Sequence, residues 1–169
     1  MVNEIDIIII AGAPGVGKST VSALLQKELR TPLFEFGWIP EFRNTGVTKI
    51  TYEEDEELAF ENLVLVVKNY VAHKFCNVII TDLENKRIEQ IQHVFSSERY
   101  RIFTLYITND RVLKKRIGDE NRSSAYRNIE EAKQINEQIQ TRDVLPNEDR
   151  IDVTEKKPEE ITSFILSSL

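Results

Sequence analysis

Nine consecutive residues carry the strongest chemical signal in this chain. Gly12-Ala13-Pro14-Gly15-Val16-Gly17-Lys18-Ser19-Thr20 satisfies the spacing G-x-x-x-x-G-K-[ST], in which backbone N–H groups wrap a phosphate. Glycines at 12, 15 and 17 permit positive φ and close backbone approach to an anion. Lys18 adds a mobile positive charge, and the Ser19 hydroxyl is the type of ligand that Mg²⁺ takes beside a nucleotide. A second element follows at Asn77-Val78-Ile79-Ile80-Thr81-Asp82, an apolar run ending in a carboxylate. Asp82 has two readings: an acid that holds the Mg²⁺ shell beside Ser19, or an N-cap for the next helix. A third feature is the basic stretch Arg111, Lys114, Lys115, Arg116, followed by Arg122-Ser123-Ser124-Ala125-Tyr126-Arg127. Paired arginines with few large apolar neighbours suit a segment of about residues 118–128 that closes over phosphates, since a guanidinium offers a fixed charge and a planar fork. Arg116 and Arg122 are the candidates for that contact.

These residues need a scaffold. Ile5 to Ala11 precedes the glycine-rich loop as a buried parallel strand would, and Val21, Leu24, Leu25 and Leu29 give the following helix an apolar face. Further extended runs recur at Leu33 to Ile39, Asn77 to Thr81, Ile102 to Ile107 and Ile151 to Val153. Helical patterns separate them, at about Glu53 to Lys74, Asn85 to Phe95, Asp110 to Ile117, Asn128 to Val144 and Pro158 to Leu166. The alternation predicts an α/β fold with a five-stranded parallel sheet and helices on both faces. Its ligand lies beyond the carboxyl ends of the strands. The acidic run Glu53 to Glu57 reads as a solvated first turn that suits the helix dipole.

The 169 residues fit a single domain over 1–169, with no repeat or Gly/Ser-rich linker to divide them. A net charge of −6 argues against nucleic acid as the main partner. Cys76 is the only cysteine, read as a small buried residue at a strand start, so neither a disulfide framework nor a zinc cluster is expected. No apolar run has the length of a membrane span, and a cytoplasmic location is expected.

On Gly12 to Thr20, Asp82, and Arg116 followed by Arg122, the chain resembles the small P-loop kinases: shikimate kinase, gluconate kinase, chloramphenicol phosphotransferase and the nucleoside monophosphate kinases. It also resembles bacterial proteins labelled broadly as AAA-type ATPases. The kinase resemblance implies a three-layer P-loop NTPase fold, an arginine-bearing lid, and ATP with Mg²⁺ as donor and cofactor. It also implies that Gly12 to Thr20 and Arg116 bind nucleotide, that Ser19 and Asp82 serve the metal, and that Lys18 and Arg122 act in catalysis. Adenine is often held in such kinases by the loop matching Thr154 to Lys157, whose other reading is an ordinary strand-to-helix turn.

One departure stands out. Shikimate kinase-like enzymes end the second strand in Asp-x-Asp, and those places fall here on Glu35 and Gly37. The second carboxylate is missing, which leaves Glu35 or Glu41 as the base for the acceptor. Arg43 is a candidate for an acidic substrate group, Trp38 for the acceptor pocket, and Arg127 for a further substrate contact; plain solvated charges are the alternative for the loop residues.

The leading functional expectation is transfer of the γ-phosphoryl group of ATP to a hydroxyl or phosphate of a small molecule. A nucleotide-dependent switch or slow ATPase is the second, and a nucleic-acid 5′-hydroxyl kinase the third. Guanine specificity is disfavoured because Asn85-Lys86-Arg87-Ile88 lacks the final acid of Asn-Lys-x-Asp, and Asn85 replaces the glycine of Asp-x-x-Gly after Asp82. The Leu-Ser-Gly-Gly-Gln signature of transporter ATPases is absent.

Overall fold

A computed structural model describes residues 5–39, 50–120 and 124–169. Strand β1 (Ile7–Gly12) leads through the glycine-rich loop into α1 (Lys18–Leu29), and β2 (Leu33–Glu35) ends in a single 3-10 turn, Phe36–Trp38. Then come α2 (Tyr52–Ala72), β3 (Val78–Thr81), α3 (Asn85–Val94), β4 (Tyr100–Tyr106), α4 (Asp110–Gly118), α5 (Ile129–Thr141), β5 (Glu148–Asp152) and α6 (Pro158–Ser168). All pairings are parallel, in the order β2-β3-β1-β4-β5. The expected five-stranded parallel sheet between two helical layers is therefore observed.

The alternation of side chains along a strand divides the core. Ile8 and Ile10 of β1 join Val21 and Leu25 of α1, Leu113 and Ile117 of α4, Ile139 of α5 and Ile165 of α6. Ile7, Ile9 and Ala11 join Phe60, Leu63 and Val67 of α2 and Ile88 and Ile91 of α3 on the other face. The chain starts α2 with a capping box, in which the Thr51 hydroxyl accepts from the Glu54 N–H and the Glu54 carboxylate accepts from the Thr51 N–H. Pro158 opens α6 as expected of a first-turn proline.

Several sequence expectations need correction. The second extended run stops at Glu35 instead of Ile39, because the chain folds into the 3-10 turn that buries Phe36 against the α2 and α3 layer. The last strand starts at Glu148, three residues early, since Glu148, Asp149 and Arg150 find partners that a hydropathy pattern does not show. Helix α5 stops at Thr141 because Arg142 turns extended and reaches Glu148. Cys76 is exposed, in a connection whose Lys74 and Asn77 both take positive φ, and its carbonyl accepts from the Thr31 hydroxyl. Within the acidic start of α2, Asp55 and Glu56 are buried instead of solvated.

Candidate active site

Sheet register assembles the site. Ile10 of β1 pairs with Thr81 of β3, and Thr81 pairs with Glu35 of β2, so the loop after Gly12, Asp82 and Glu35 lie side by side at the carboxyl ends of three adjacent strands. A hydrogen bond from the Thr81 hydroxyl to the Ile10 carbonyl, 3.2 Å, ties the first two together. The order of the sheet reverses direction at β1, the switch point where such sheets bind ligands.

Gly12, Gly15 and Gly17 take φ of 139°, 89° and 102°. A Cβ at Gly12 would lie 2.4 Å from the Leu105 carbonyl oxygen, and one at Gly15 would lie 2.7 Å from Ile117 Cγ1, so the loop is packed tightly against β4 and α4. Gly17 is the N-cap of α1, has no side chain to cap the helix, and is followed by a first turn without acidic residues. The N–H groups at the start of α1 thus face the cavity with no side-chain acceptor, which fits an anionic phosphate. Ser19 and Thr20 are exposed and line that cavity, and their hydroxyls are of the oxygen-donor type that Mg²⁺ would take.

The Lys18 ammonium donates to the carbonyls of Gly12 at 3.0 Å and Ala13 at 3.3 Å, and lies 3.8 Å from an Asp82 carboxylate oxygen. Asp82 does not cap α3; that position belongs to Glu84. Its φ of 65° is unusual for a residue with a Cβ and directs a half-exposed carboxylate toward Lys18. Glu35 completes the cluster. Partial burial, then the charge of Asp82, raise its carboxyl above the ordinary value near 4.5, with Lys18 pulling the other way. Gly37 takes the place where a second carboxylate was missed, and a Cβ there would lie 3.6 Å from Asp82 Oδ2.

Two cavities meet at Lys18 and Asp82, and Glu35 lines neither of them. The first, about 570 Å³, is lined by the glycine-rich loop, Ser19, Thr20, Arg116, Asp119, Ser124 and Tyr126. The second, about 540 Å³, lies on the side of Phe36, Tyr52, Glu56, Leu83, Glu84 and Glu131. Pro14, Lys18 and Asp82 line both.

Arg116 donates to the carbonyls of Val16 at 3.4 Å, Val153 at 2.9 Å and Thr154 at 3.3 Å, so it braces the glycine-rich loop against the segment after β5. Burial lowers its pKa below the ordinary guanidinium value. Thr154 itself bonds Thr108 and Asp152. Arg127 is exposed and donates to the carbonyls of Ser124 and Tyr126. Trp38 is 50% exposed at the end of the 3-10 turn. Neither lines either cavity among the described residues. Glu41, Arg43 and Arg122 lie outside the described residues.

The fold has counterparts among solved structures. A sugar kinase from Janibacter sp. HTCC2649 aligns with a TM-score of 0.68 and 16% identity, covering 96% of this chain and 93% of its own. A gluconokinase from Sinorhizobium meliloti 1021 gives 0.66 and 14%, covering 96% and 90%. This is the P-loop kinase fold. Shikimate kinase from Aquifex aeolicus vf5 shares it at a TM-score of 0.54 and 19% identity, over 96% of this chain and 94% of that one. No protein-family model matches the sequence. No curated protein matches it either. No helix among the described residues is long and apolar enough to cross a membrane.

Within this P-loop kinase fold, sequence reasoning missed the second cavity's own residues. Glu56 is 8% exposed, lines that cavity and has no hydrogen-bond partner among the described residues. Burial, then the charge of Glu84, push its carboxyl up, with Asp55 adding to the effect and Lys86 and Arg87 opposing it. The signal was present: Glu56 precedes Phe60 by four and Leu63 by seven residues, on the buried stripe of α2. Tyr126 was also missed as a cavity residue. Its hydroxyl donates to Glu131 at 2.8 Å, and burial together with that carboxylate pushes its pKa up to about 12.

Proposed function

We propose that this protein is an ATP-dependent phosphotransferase acting on a small-molecule hydroxyl. The observation that carries the reading is the shared wall: Lys18 and Asp82 border both the cavity on the glycine-rich loop and the cavity beside α2 and α3. A donor in the first and an acceptor in the second would meet at one cation and one carboxylate. Transfer of a phosphoryl group needs alignment and charge neutralisation more than covalent chemistry.

In this mechanism the N–H groups of the loop and the start of α1 hold the β- and γ-phosphates. Lys18 exchanges its carbonyl contacts for phosphate oxygens and follows the charge as it moves to the leaving group. Ser19 and Asp82 would hold Mg²⁺, which would supply further neutralisation of the phosphates. Glu35, whose carboxyl burial and Asp82 raise above its ordinary value, accepts the proton of the attacking hydroxyl. Arg116 keeps the loop in place through its carbonyl contacts. Arg122 is assigned to phosphate contact on the sequence pattern alone. The acidic net charge, −6, weighs against a nucleic-acid acceptor.

The test is ATP consumption with Mg²⁺ across sugars, nucleosides, amino alcohols and hydroxy acids, beside a Lys18→Ala variant. Stimulation by one class, reduced at least about 10³-fold in the variant, supports the kinase reading, since the lost cation stabilises charge in the transition state. Tight ATP binding with slow hydrolysis that no acceptor changes supports a nucleotide-dependent switch instead.

A further inference from the structure

The second cavity has a charge that its neighbour does not. Four carboxylates line it, those of Glu56, Asp82, Glu84 and Glu131, against the ammonium groups of Lys18 and Lys86. Lys18 is committed to the phosphate end through Gly12, Ala13 and Asp82. Lys86 pairs with Glu84 at 3.1 Å, but both side chains are about half exposed, so the pair neutralises that end weakly. Two hydrogen bonds occupy Glu131, from the Tyr126 hydroxyl and the Asn128 amide. Glu56 alone is buried and unpartnered among the described residues. Arg87, one residue from Lys86, gives its guanidinium to Glu57 at 2.7 Å and does not reach Glu56 by a hydrogen bond.

Glu56 sits in a largely buried position with its carboxylate open only to the cavity, so the donor that would complete it is one that enters that cavity. We propose that this cavity receives a hydroxyl compound that also carries an ammonium group, such as an amino sugar or an amino alcohol, with the ammonium on Glu56 and Glu84. A resident metal ion is a poorer match, since no group of three acidic, His or Cys side chains among the described residues is placed to hold one. The positive half-charge at the start of α3 does not reverse the sign, because Glu84 stands at that N-cap. Leu83 and Phe36 supply apolar walls for the carbon skeleton.

This inference rests on the kinase reading for its chemistry. The acceptor's hydroxyl oxygen forms a bond to the γ-phosphorus, and the bond between that phosphorus and the β,γ-bridging oxygen breaks. The electron pair leaves with ADP, and the hydroxyl proton goes to Glu35. The ammonium takes no part in bond making; it fixes which hydroxyl faces the donor.

The experiment measures binding and turnover separately. Calorimetry with the full chain, with and without a non-hydrolysable ATP analogue and Mg²⁺, compares glucosamine with glucose, 2-deoxystreptamine with myo-inositol, and serinol with glycerol; gluconate and glycerate are the anionic counterparts. At least one cationic member binds about tenfold or more tighter than its neutral and anionic counterparts, the effect of one charge-assisted hydrogen bond. Glu56→Gln removes that preference and Glu84→Gln weakens it. Glu56→Gln is expected to fold, since it exchanges an unpartnered buried charge for a neutral group of the same shape. Equal or tighter binding of the neutral or anionic members, absence of binding by every cationic member, or a preference that survives Glu56→Gln overturns the proposal. Cationic preference at the cavity without ATP-dependent phosphorylation of any probe leaves the ligand class standing and counts against the kinase reading.

Discussion

The carboxylate of Glu148 offers the most direct test of how the last strand is held. Its side chain is fully buried, and it accepts from the Thr104 hydroxyl, twice from Arg142, and from the Leu145 N–H at 2.8 Å; Arg150 lies 3.6 Å away. Glu148→Gln keeps the shape and removes the charge. The guanidinium groups of Arg142 and Arg150, 17% and 16% exposed, are then left without their anion, and the new amide N–H₂ group faces donors. Breaking a buried pair in this way costs about 3–5 kcal/mol. Residual exposure of the arginines favours the lower end, about 3 kcal/mol, or a fall in Tm of roughly 6–12 °C for a chain of this size. Urea and thermal unfolding at pH 7 measure it. The pH dependence gives a second reading. Burial alone would raise the carboxyl of Glu148, but hydrogen bonds from Arg142, Thr104 and Leu145, with the charge of Arg142, outweigh it and hold the pKa below the ordinary 4.5. A depressed carboxylate adds stability that is present above the unfolded value near 4.5 and is lost as pH falls through the lower folded value. The difference between wild type and variant should therefore be full at pH 7 and shrink below pH 4.5. A cost under about 1 kcal/mol at pH 7, or a difference that stays constant into acid, would refute the assignment of a buried ion-pair network here.

Two other perturbations bear on the site. Gly15→Ala, at φ 89° and with its Cβ 2.7 Å from Ile117 Cγ1, should cost about 1–3 kcal/mol of stability and weaken ATP binding at least about tenfold, whereas Gly118→Ala, with nothing within 4 Å of its Cβ, should leave ATP binding unchanged. Equal ATP affinity for both variants in calorimetry would rule out the packing argument. If Glu35 accepts the hydroxyl proton, kcat/KM should rise with pH through a value above 4.5, and Glu35→Gln should lose that acid limb with a drop of about 10²–10⁴ in rate; an acid limb that persists in the variant assigns the base elsewhere.

The donor side of the site was legible in the chain because it depends on local order. A strand, three glycines, a lysine and a hydroxyl in fixed spacing need only the sheet to bring Asp82 alongside, and an apolar run ending in a carboxylate announced that strand. The acceptor side was not legible, since it depends on which face of α2 turns inward. Glu56 sits in an acidic run that looks solvated, and only its spacing to Phe60 and Leu63 distinguishes it from Glu53 and Glu54. The edge strand β5 was seen short for a related reason. Its charged residues satisfy one another and Arg142, and hydropathy has no access to that pairing. Gly37 illustrates a third limit: an extended pattern through Ile39 could not register that burying Phe36 bends the chain away from the sheet.

The glycine-rich loop appears within the first twenty residues, yet its supports arrive late. Helix α1 packs with Ile161 and Ile165 of α6, Gly15 rests on Ile117 of α4, and Arg116 fastens Val16 to the carbonyls of Val153 and Thr154. During synthesis, a chain that has emerged only as far as β4 carries the whole motif without the helix, strand and guanidinium that hold its shape. Phosphate binding should therefore switch on only once α4 to α6 have emerged, and a nucleotide present at that moment would act as a folding template that rewards chains with those helices docked.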